Sequence, residues 1–250
     1  MSYIIALAGK GGTGKTTVAS LIIRSIWEKK LGSILAIDAD PNSNLGEALG
    51  IEVRQSVGTI LDEIGAHPDK IPSGMTKDRF IQFKVQEAVY EGRGVDLLNM
   101  GKPEGPGCYC YVNNVLRGAM TELIKNYDFI IIDNEAGLEH LSRRTTRAAD
   151  ALIVVSDATS VGLKSAARIK ELAKELKFDV KRSYLLVNRY NPKLEKEKIK
   201  ETGLDYLGNL PFDTEIETLS LKGKSIFDLK PEAQILKALK LWGEKLWIRS

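Results

Sequence analysis

Sulfur is scarce in this chain: its 250 residues hold two cysteines, Cys108 and Cys110, one residue apart. Histidine is as rare, and His67 and His140 lie too far apart in sequence to argue for ligation of a metal. No stretch approaches the roughly 18 apolar residues of a membrane span. Met1 runs straight into an apolar segment, with no basic leader and no small-residue cleavage site. The expected setting is therefore cytoplasmic, where a reducing thiol pool makes a structural disulfide a poor use of the cysteine pair. An excess of one charge is missing too: 36 Lys plus Arg face 33 Asp plus Glu. The resulting +3 is too small and too scattered to announce nucleic acid or a membrane as partner. Internal repeats and low-complexity linkers are absent.

What is present is an alternation of short β-branched runs with helical patterns. Segments 3–8, 33–37, 129–132, 151–155 and 183–187 read as strands buried on both faces, and 15–30, 113–126, 161–176 and 232–246 as helices. Such alternation predicts an α/β fold: a doubly wound, mostly parallel sheet with helices on both faces. With 43% apolar residues the chain can fill a substantial core, and one domain over 1–250 is expected. Residues 50–112 are less regular, with helices expected near 57–64 and 77–90 and a strand at 95–100. This part is read as a family-specific insertion. It ends in a loop rich in Gly and Pro, 101–107, followed by the Cys-x-Cys pair.

The most specific motif is Gly9-Lys10-Gly11-Gly12-Thr13-Gly14-Lys15-Thr16-Thr17, which satisfies G-x-x-x-x-G-K-[ST] between an expected strand and an expected helix. Glycines let backbone approach phosphates, and successive N–H groups with the helix N-terminus form a positive cradle. Lys15 is expected to reach the β- and γ-phosphates, Thr16 to ligate Mg²⁺, and Thr17 to contact the α-phosphate of ATP. Two acidic sites complete the pattern. Asp38-Ala39-Asp40 follows the second strand, and Asp133 closes the run 129–132 as the acidic residue that ties down Mg²⁺ through water.

The second lysine, Lys10, in the form Lys-Gly-Gly-Thr-Gly-Lys-Thr, resembles the deviant Walker A signature of the MinD/ParA/nitrogenase iron-protein group of ATPases. Asp38-Ala-Asp-Pro and Asp133-Asn-Glu-Ala-Gly137 are similar to that group's two switches, with Asn134 and Glu135 departing from the commoner Asp-x-Pro-Ala-Gly. The resemblance implies a P-loop ATPase that dimerises on ATP. Lys10 would act across the twofold axis on the partner's nucleotide, Asp40 would position water, and Asp38 would support Mg²⁺ from its second shell. Asn188 and Pro211 match the group's base-recognition positions. An amide offers adenine both a donor and an acceptor, which favours ATP over GTP.

Spacing alone leaves Cys108-Tyr109-Cys110 open between a metal site, a redox pair and incidental thiols. Two copies of the chain would bring four thiolates together, a set suited to Ni²⁺, Zn²⁺ or Cu(I). A deviant Walker A loop combined with Cys-x-Cys resembles the CooC-type ATPases that serve nickel-enzyme maturation. The resemblance implies Cys108 and Cys110 as ligands of Ni²⁺ or Zn²⁺ shared across a homodimer, and as client carbon monoxide dehydrogenase or acetyl-CoA synthase. The competing reading is a MinD/ParA-like positioning or partition ATPase acting on membrane or DNA. A bridging iron–sulfur cluster is a third, disfavoured because the chain lacks two well-separated cysteines. The last helix carries Ile235, Leu239, Trp242 and Leu246 on one face and resembles a MinD membrane tail, but a helix docking on the sheet has the same stripe. Neither membrane nor nucleic acid is expected as partner.

Overall fold

The computed structural model describes residues 2–92, 94–101, 110–135, 148–190 and 194–247. Among the described residues seven strands form one sheet: β1 Tyr3–Gly9, β2 Ile34–Ala39, β3 Asp96–Asn99, β4 Phe129–Asn134, β5 Ala148–Ser156, β6 Asp179–Val187 and β7 Asp205–Asn209. Their order is β3-β2-β4-β1-β5-β6-β7, and every pairing is parallel. Strands β2 and β4 are buried along their whole length, and β1 over its last five residues. Strands that are apolar on both sides need helices on both faces.

One face is covered by α1 Lys15–Glu28, α2 Asn44–Leu49 and α9 Gln234–Trp247. Val18, Leu21, Leu45, Leu239 and Trp242 pack there with Leu7, Ile131 and Ile153 of the sheet. The opposite face carries α3 Val57–Ala66, α4 Lys77–Glu87, α5 Cys110–Ile124 and α6 Ser160–Glu175. There Ile60, Ile81, Met120 and Leu163 meet Ala6, Ile37 and Ile132. Two short helices, α7 Lys196–Glu201 and α8 Thr214–Leu221, complete the second half.

Helix starts follow local chemistry. Ser56 and Thr59 form a reciprocal capping box on α3, Thr76 caps α4, Thr159 caps α6 and Asp213 caps α8. Helix α1 has no side-chain cap at Gly14 and no acidic residue in its first turn. Its free N–H groups keep their positive end for something else.

The structure moves several expected boundaries. Strand β2 continues to Ala39, so Asp38 sits inside the strand rather than after it. Helix α5 begins at Cys110, which makes that residue the first of a helix and not part of a loop. Helix α1 ends at Glu28, where Lys30 turns left-handed at φ 51, two residues before the glycine expected to stop it. Strand β7 was not expected: at the sheet edge only Leu207 among its five residues is buried, so it carries no apolar run. The apolar stripe of α9 lies in the core, with Ile235, Leu239, Trp242 and Leu246 all buried.

Candidate nucleotide site

In a parallel sheet the crevice for ligands opens at the C-terminal strand ends, where successive connections depart to opposite sides. Here β1 leads through α1 to β2 on one side, and β4 leads to β5 on the other. Residues 10–14 cross that point between β1 and α1. Lys10, Gly11 and Gly12 are exposed, whereas Thr13 and Lys15 are buried. The carbonyl of Lys10 is the hub of the loop. It accepts from the Thr13 N–H at 3.3 Å, the Thr13 hydroxyl at 2.8 Å and the Lys15 ammonium at 3.4 Å. Gly14 turns left-handed at φ 86, and a Cβ there would come within 2.4 Å of the Asn188 amide nitrogen, so both conformation and space call for glycine. The next residues, Lys15, Thr16 and Thr17, open α1 and present the uncapped end of the helix.

Beneath the loop a polar row crosses the sheet. Asn99 is in register with Asp38, Asp38 with Asp133, and Asp133 with Leu7. Asp38 is buried, and its two oxygens accept from the Asp40 N–H at 3.1 Å and the Leu45 N–H at 2.8 Å. Loss of solvent outweighs those bonds and raises its pKa to about 6, with the Asp40 charge adding to the rise. Asp133 is raised further, to about 7, first by burial and then by the charges of Asp38 and Asp40; the nearby Thr16 hydroxyl and Lys15 pull it down in part. Thr16 lies close enough to act on the carboxyl, yet neither Asp133 oxygen has a hydrogen-bond partner of normal geometry. A buried carboxylate left this way is costly. A hydrated divalent cation beside Thr16 would supply both charge and donors, so the residues present fit Mg²⁺. Asp40 is half-buried, and its Oδ1 closes a turn by accepting from the Asn42 N–H at 2.9 Å and its side-chain amide at 3.0 Å. Asn134 donates its amide to the Leu7 carbonyl at 2.7 Å and so ties β4 to β1.

The residues expected to recognise the base come from distant parts of the chain. Asn188, just after β6, donates to the Thr13 carbonyl at 2.9 Å, and the Arg189 guanidinium reaches the Gly12 carbonyl at 3.4 Å. Asn188, Pro211 and Thr17 line one cavity of about 240 Å³ together with Phe212, Ile216 and Leu221. A second cavity, of about 270 Å³, lies on the other side of Thr17 between α1, α2 and α8, and touches neither Asn188 nor Pro211. Sequence reasoning missed α8, whose Ile216 and Ser220 face both cavities; no local motif announces it.

Cys108 lies outside the described residues, as do His140 and Gly137; Cys110 opens α5, and its side chain is likewise outside them. Among the described residues no cluster of three or more His, Cys, Asp or Glu is poised for a metal ion, and no helix is long and apolar enough to cross a membrane.

A glycine-rich loop joining a central strand to an uncapped helix, above a buried carboxylate at the end of the neighbouring strand, defines a P-loop nucleotide hydrolase. Comparison with known proteins narrows the class. A family model described as an AAA domain matches residues 1–185. An uncharacterized ATP-binding protein of Methanocaldococcus jannaschii is 46% identical over 97% of this chain and 98% of its own length. The carbon monoxide dehydrogenase accessory protein CooC of Rhodospirillum rubrum is 30% identical over 91% of this chain and 90% of its own. Among solved structures, the septum site-determining protein MinD of Pyrococcus horikoshii, complexed with Mg-ADP, matches with a TM-score of 0.74 at 23% identity, over 99% of this chain and 97% of that one. That last likeness speaks for the fold. The chain belongs to the deviant Walker A ATPases of the MinD/ParA family, with a CooC protein among its relatives, and it is an ATPase.

Proposed function

We propose that this ATPase is a homodimeric maturation factor that couples Mg-ATP binding and hydrolysis to the insertion of nickel into a nickel enzyme such as carbon monoxide dehydrogenase or acetyl-CoA synthase. The observation that carries the nucleotide half is the partnerless Asp133 carboxylate beside Thr16, under a loop whose helix end is left uncapped. The nickel half is supported by likeness to CooC along nine-tenths of the chain, together with the thiol pair Cys108 and Cys110.

In this reading the N–H groups of Gly11 to Thr17 hold the phosphates, and Lys15 leaves the Lys10 carbonyl to reach the β- and γ-phosphates. Thr16 and Asp133 would hold Mg²⁺, with Asp38 fixing the loop behind them through the Asp40 and Leu45 N–H groups. The cation supplies neutralisation of the phosphate charge. Asp40 orients the attacking water, and the exposed Lys10 stabilises the transferring phosphoryl group of the partner copy. Asn188 and Pro211 select adenine in their shared cavity. Cys108 and Cys110 of two copies bind one nickel ion, the cargo, with Zn²⁺ as a competent substitute.

A partition or positioning role has less to stand on. The helix that resembles a membrane tail spends its apolar stripe on the core. The experiment that tests the proposal is Ni²⁺ titration of the wild type and of Cys108→Ala with Cys110→Ala, with sedimentation of each in Mg-ATP. One nickel per two chains, lost in the double variant while ATP binding persists, is expected. Nickel binding unchanged by the two substitutions would overturn the metal reading.

A further inference from the structure

Arg189 is an exposed residue between Asn188 and Tyr190, just past the end of β6, and its backbone is left-handed at φ 51. Arginine rarely adopts that conformation, which persists only where the surroundings over-determine it. Here both neighbours are held. The Asn188 N–H donates to the Ser156 carbonyl of β5 at 2.7 Å, and the Tyr190 N–H donates to the Leu210 carbonyl, just after β7, at 2.9 Å. The Arg189 N–H itself donates to the side-chain oxygen of Asn188 at 3.0 Å. That bond sets which way the carboxamide faces, and the amide nitrogen of Asn188 then donates to the Thr13 carbonyl at 2.9 Å. The Arg189 guanidinium donates to the Gly12 carbonyl at 3.4 Å. Two successive carbonyls of the phosphate loop are thus held from the end of β6.

Covalent geometry carries the consequence to the other side of the loop. In a planar trans peptide the C=O and the following N–H point in opposite directions. With the Gly12 carbonyl drawn to Arg189 and the Thr13 carbonyl drawn to Asn188, the N–H groups of Thr13 and Gly14 face away from β6. The Thr13 N–H accordingly turns inward, to the Lys10 carbonyl at 3.3 Å. A loop that binds phosphate must present N–H groups, and a carbonyl rotated inward would set a partial negative charge against the anion. We propose that Arg189 is a positioning residue for the phosphate loop: by orienting the Asn188 carboxamide and holding the Gly12 carbonyl, it fixes two peptides with their N–H groups turned to the phosphates before the nucleotide arrives. A loop ordered in advance binds more tightly because the cost of ordering it is not met on binding. This rests on the phosphate-loop reading above. Arg189 does not touch the nucleotide; it acts through Gly12 and Asn188.

The test is binding of inorganic tripolyphosphate and of ATP, each with Mg²⁺, to the wild type, Arg189→Gly and Arg189→Lys, together with the melting temperature of each protein without nucleotide. Arg189→Gly removes the guanidinium and relieves the left-handed backbone, so it is expected to melt no lower than the wild type. Its affinity is expected to fall by about 5-fold for tripolyphosphate and ATP alike, the scale of one modest hydrogen bond. Arg189→Lys keeps a charged donor for the single contact with Gly12 and recovers to within about 2-fold of the wild type. The loss in Arg189→Gly persists in about 0.5 M KCl, where attraction between an exposed charge and a distant phosphate is screened out. A tripolyphosphate affinity within about 2-fold of the wild type in Arg189→Gly overturns the positioning role and leaves the nucleotide site standing. So does a loss that vanishes in salt, which would mean direct attraction of the phosphates, or a loss confined to ATP, which would place Arg189 on the base. A lower melting temperature in Arg189→Gly overturns it too, by showing that the residue braces the fold at large. A wild type that binds neither ligand brings down the phosphate-loop reading, and this inference with it.

Discussion

Asp38 and Asp133 are register partners on adjacent strands, side by side on the sheet face that carries α1, and both are buried. Asp38 spends its oxygens on backbone N–H groups, and Asp133 keeps both of its own without a partner. The two carboxylates are therefore neighbours with different tasks: one holds the loop that follows β2, the other awaits a charge.

The first prediction follows from the raised pKa of Asp133. Its folded value, about 7, exceeds the ordinary 3.8, so the folded state holds its proton more tightly than the unfolded chain does. Stability from this group is complete below pH 4 and is lost as pH rises through about 7. Asp133→Asn is expected to raise the unfolding free energy of the nucleotide-free protein at pH 8 by on the order of 3 kcal/mol and to flatten its decline between pH 4 and 7. Urea denaturation across that range reads it. In the wild type, Mg²⁺-dependent ATP affinity should climb through the same window, since the cation needs the ionised form.

Gly14→Ala forces a left-handed alanine against the Asn188 amide. A cost of about 2 kcal/mol is expected, which lowers the melting temperature by roughly 4–8 °C for a chain of this size. Calorimetry of the nucleotide-free protein checks this. A melting temperature equal to that of the wild type would show that the Asn188 contact gives way freely.

Asn188→Ala removes the donor to the Thr13 carbonyl and one wall of the cavity lined by Thr17 and Pro211. ATP affinity is expected to fall by about 10-fold, or about 1.4 kcal/mol. Preference for ATP over GTP should fall with it, whereas inorganic tripolyphosphate should lose less. Equal losses for ATP and tripolyphosphate would mean that Asn188 serves the loop and not the base.

Trp242 packs over Gly208 and donates its indole N–H to the Asn209 carbonyl at 3.3 Å, and Asp213 accepts from the Ile235 N–H at 3.3 Å. Helix α9 thus braces the chain on both sides of Pro211. Trp242→Ala is expected to cost about 3–5 kcal/mol of stability, and anionic vesicles should not sediment the wild-type protein. Vesicle binding with full retention of the fold would revive the membrane reading of this helix.

Much of this architecture can be read from residues. The runs 129–132 and 151–155 are apolar without alternation, and a parallel sheet is the arrangement that buries such strands. The phosphate loop announces itself because glycine, lysine and threonine at that spacing have one common use. Asp38 was harder to place, since an aspartate reads as the end of a strand unless two backbone donors are waiting for it inside the fold. Strand β7 and helix α8 stayed hidden because what stabilises them comes from α9 and β6, far away in sequence. Asn99 gave no sign at all: a lone asparagine after an apolar pair looks like a turn, and its two partners, the Ser43 hydroxyl and the Gly101 N–H, are brought to it only by the pairing of β2 with β3.

The grip of loop and lysine on a triphosphate underlies every other role assigned to this protein. Isothermal titration of ATP, with and without Mg²⁺, into the wild type and Lys15→Ala measures it directly. Magnesium-dependent binding that weakens by roughly 30–150-fold in the variant, the worth of about 2–3 kcal/mol of charged hydrogen bonds, is the predicted result. Binding that ignores Mg²⁺, or that survives the substitution undiminished, would contradict the account.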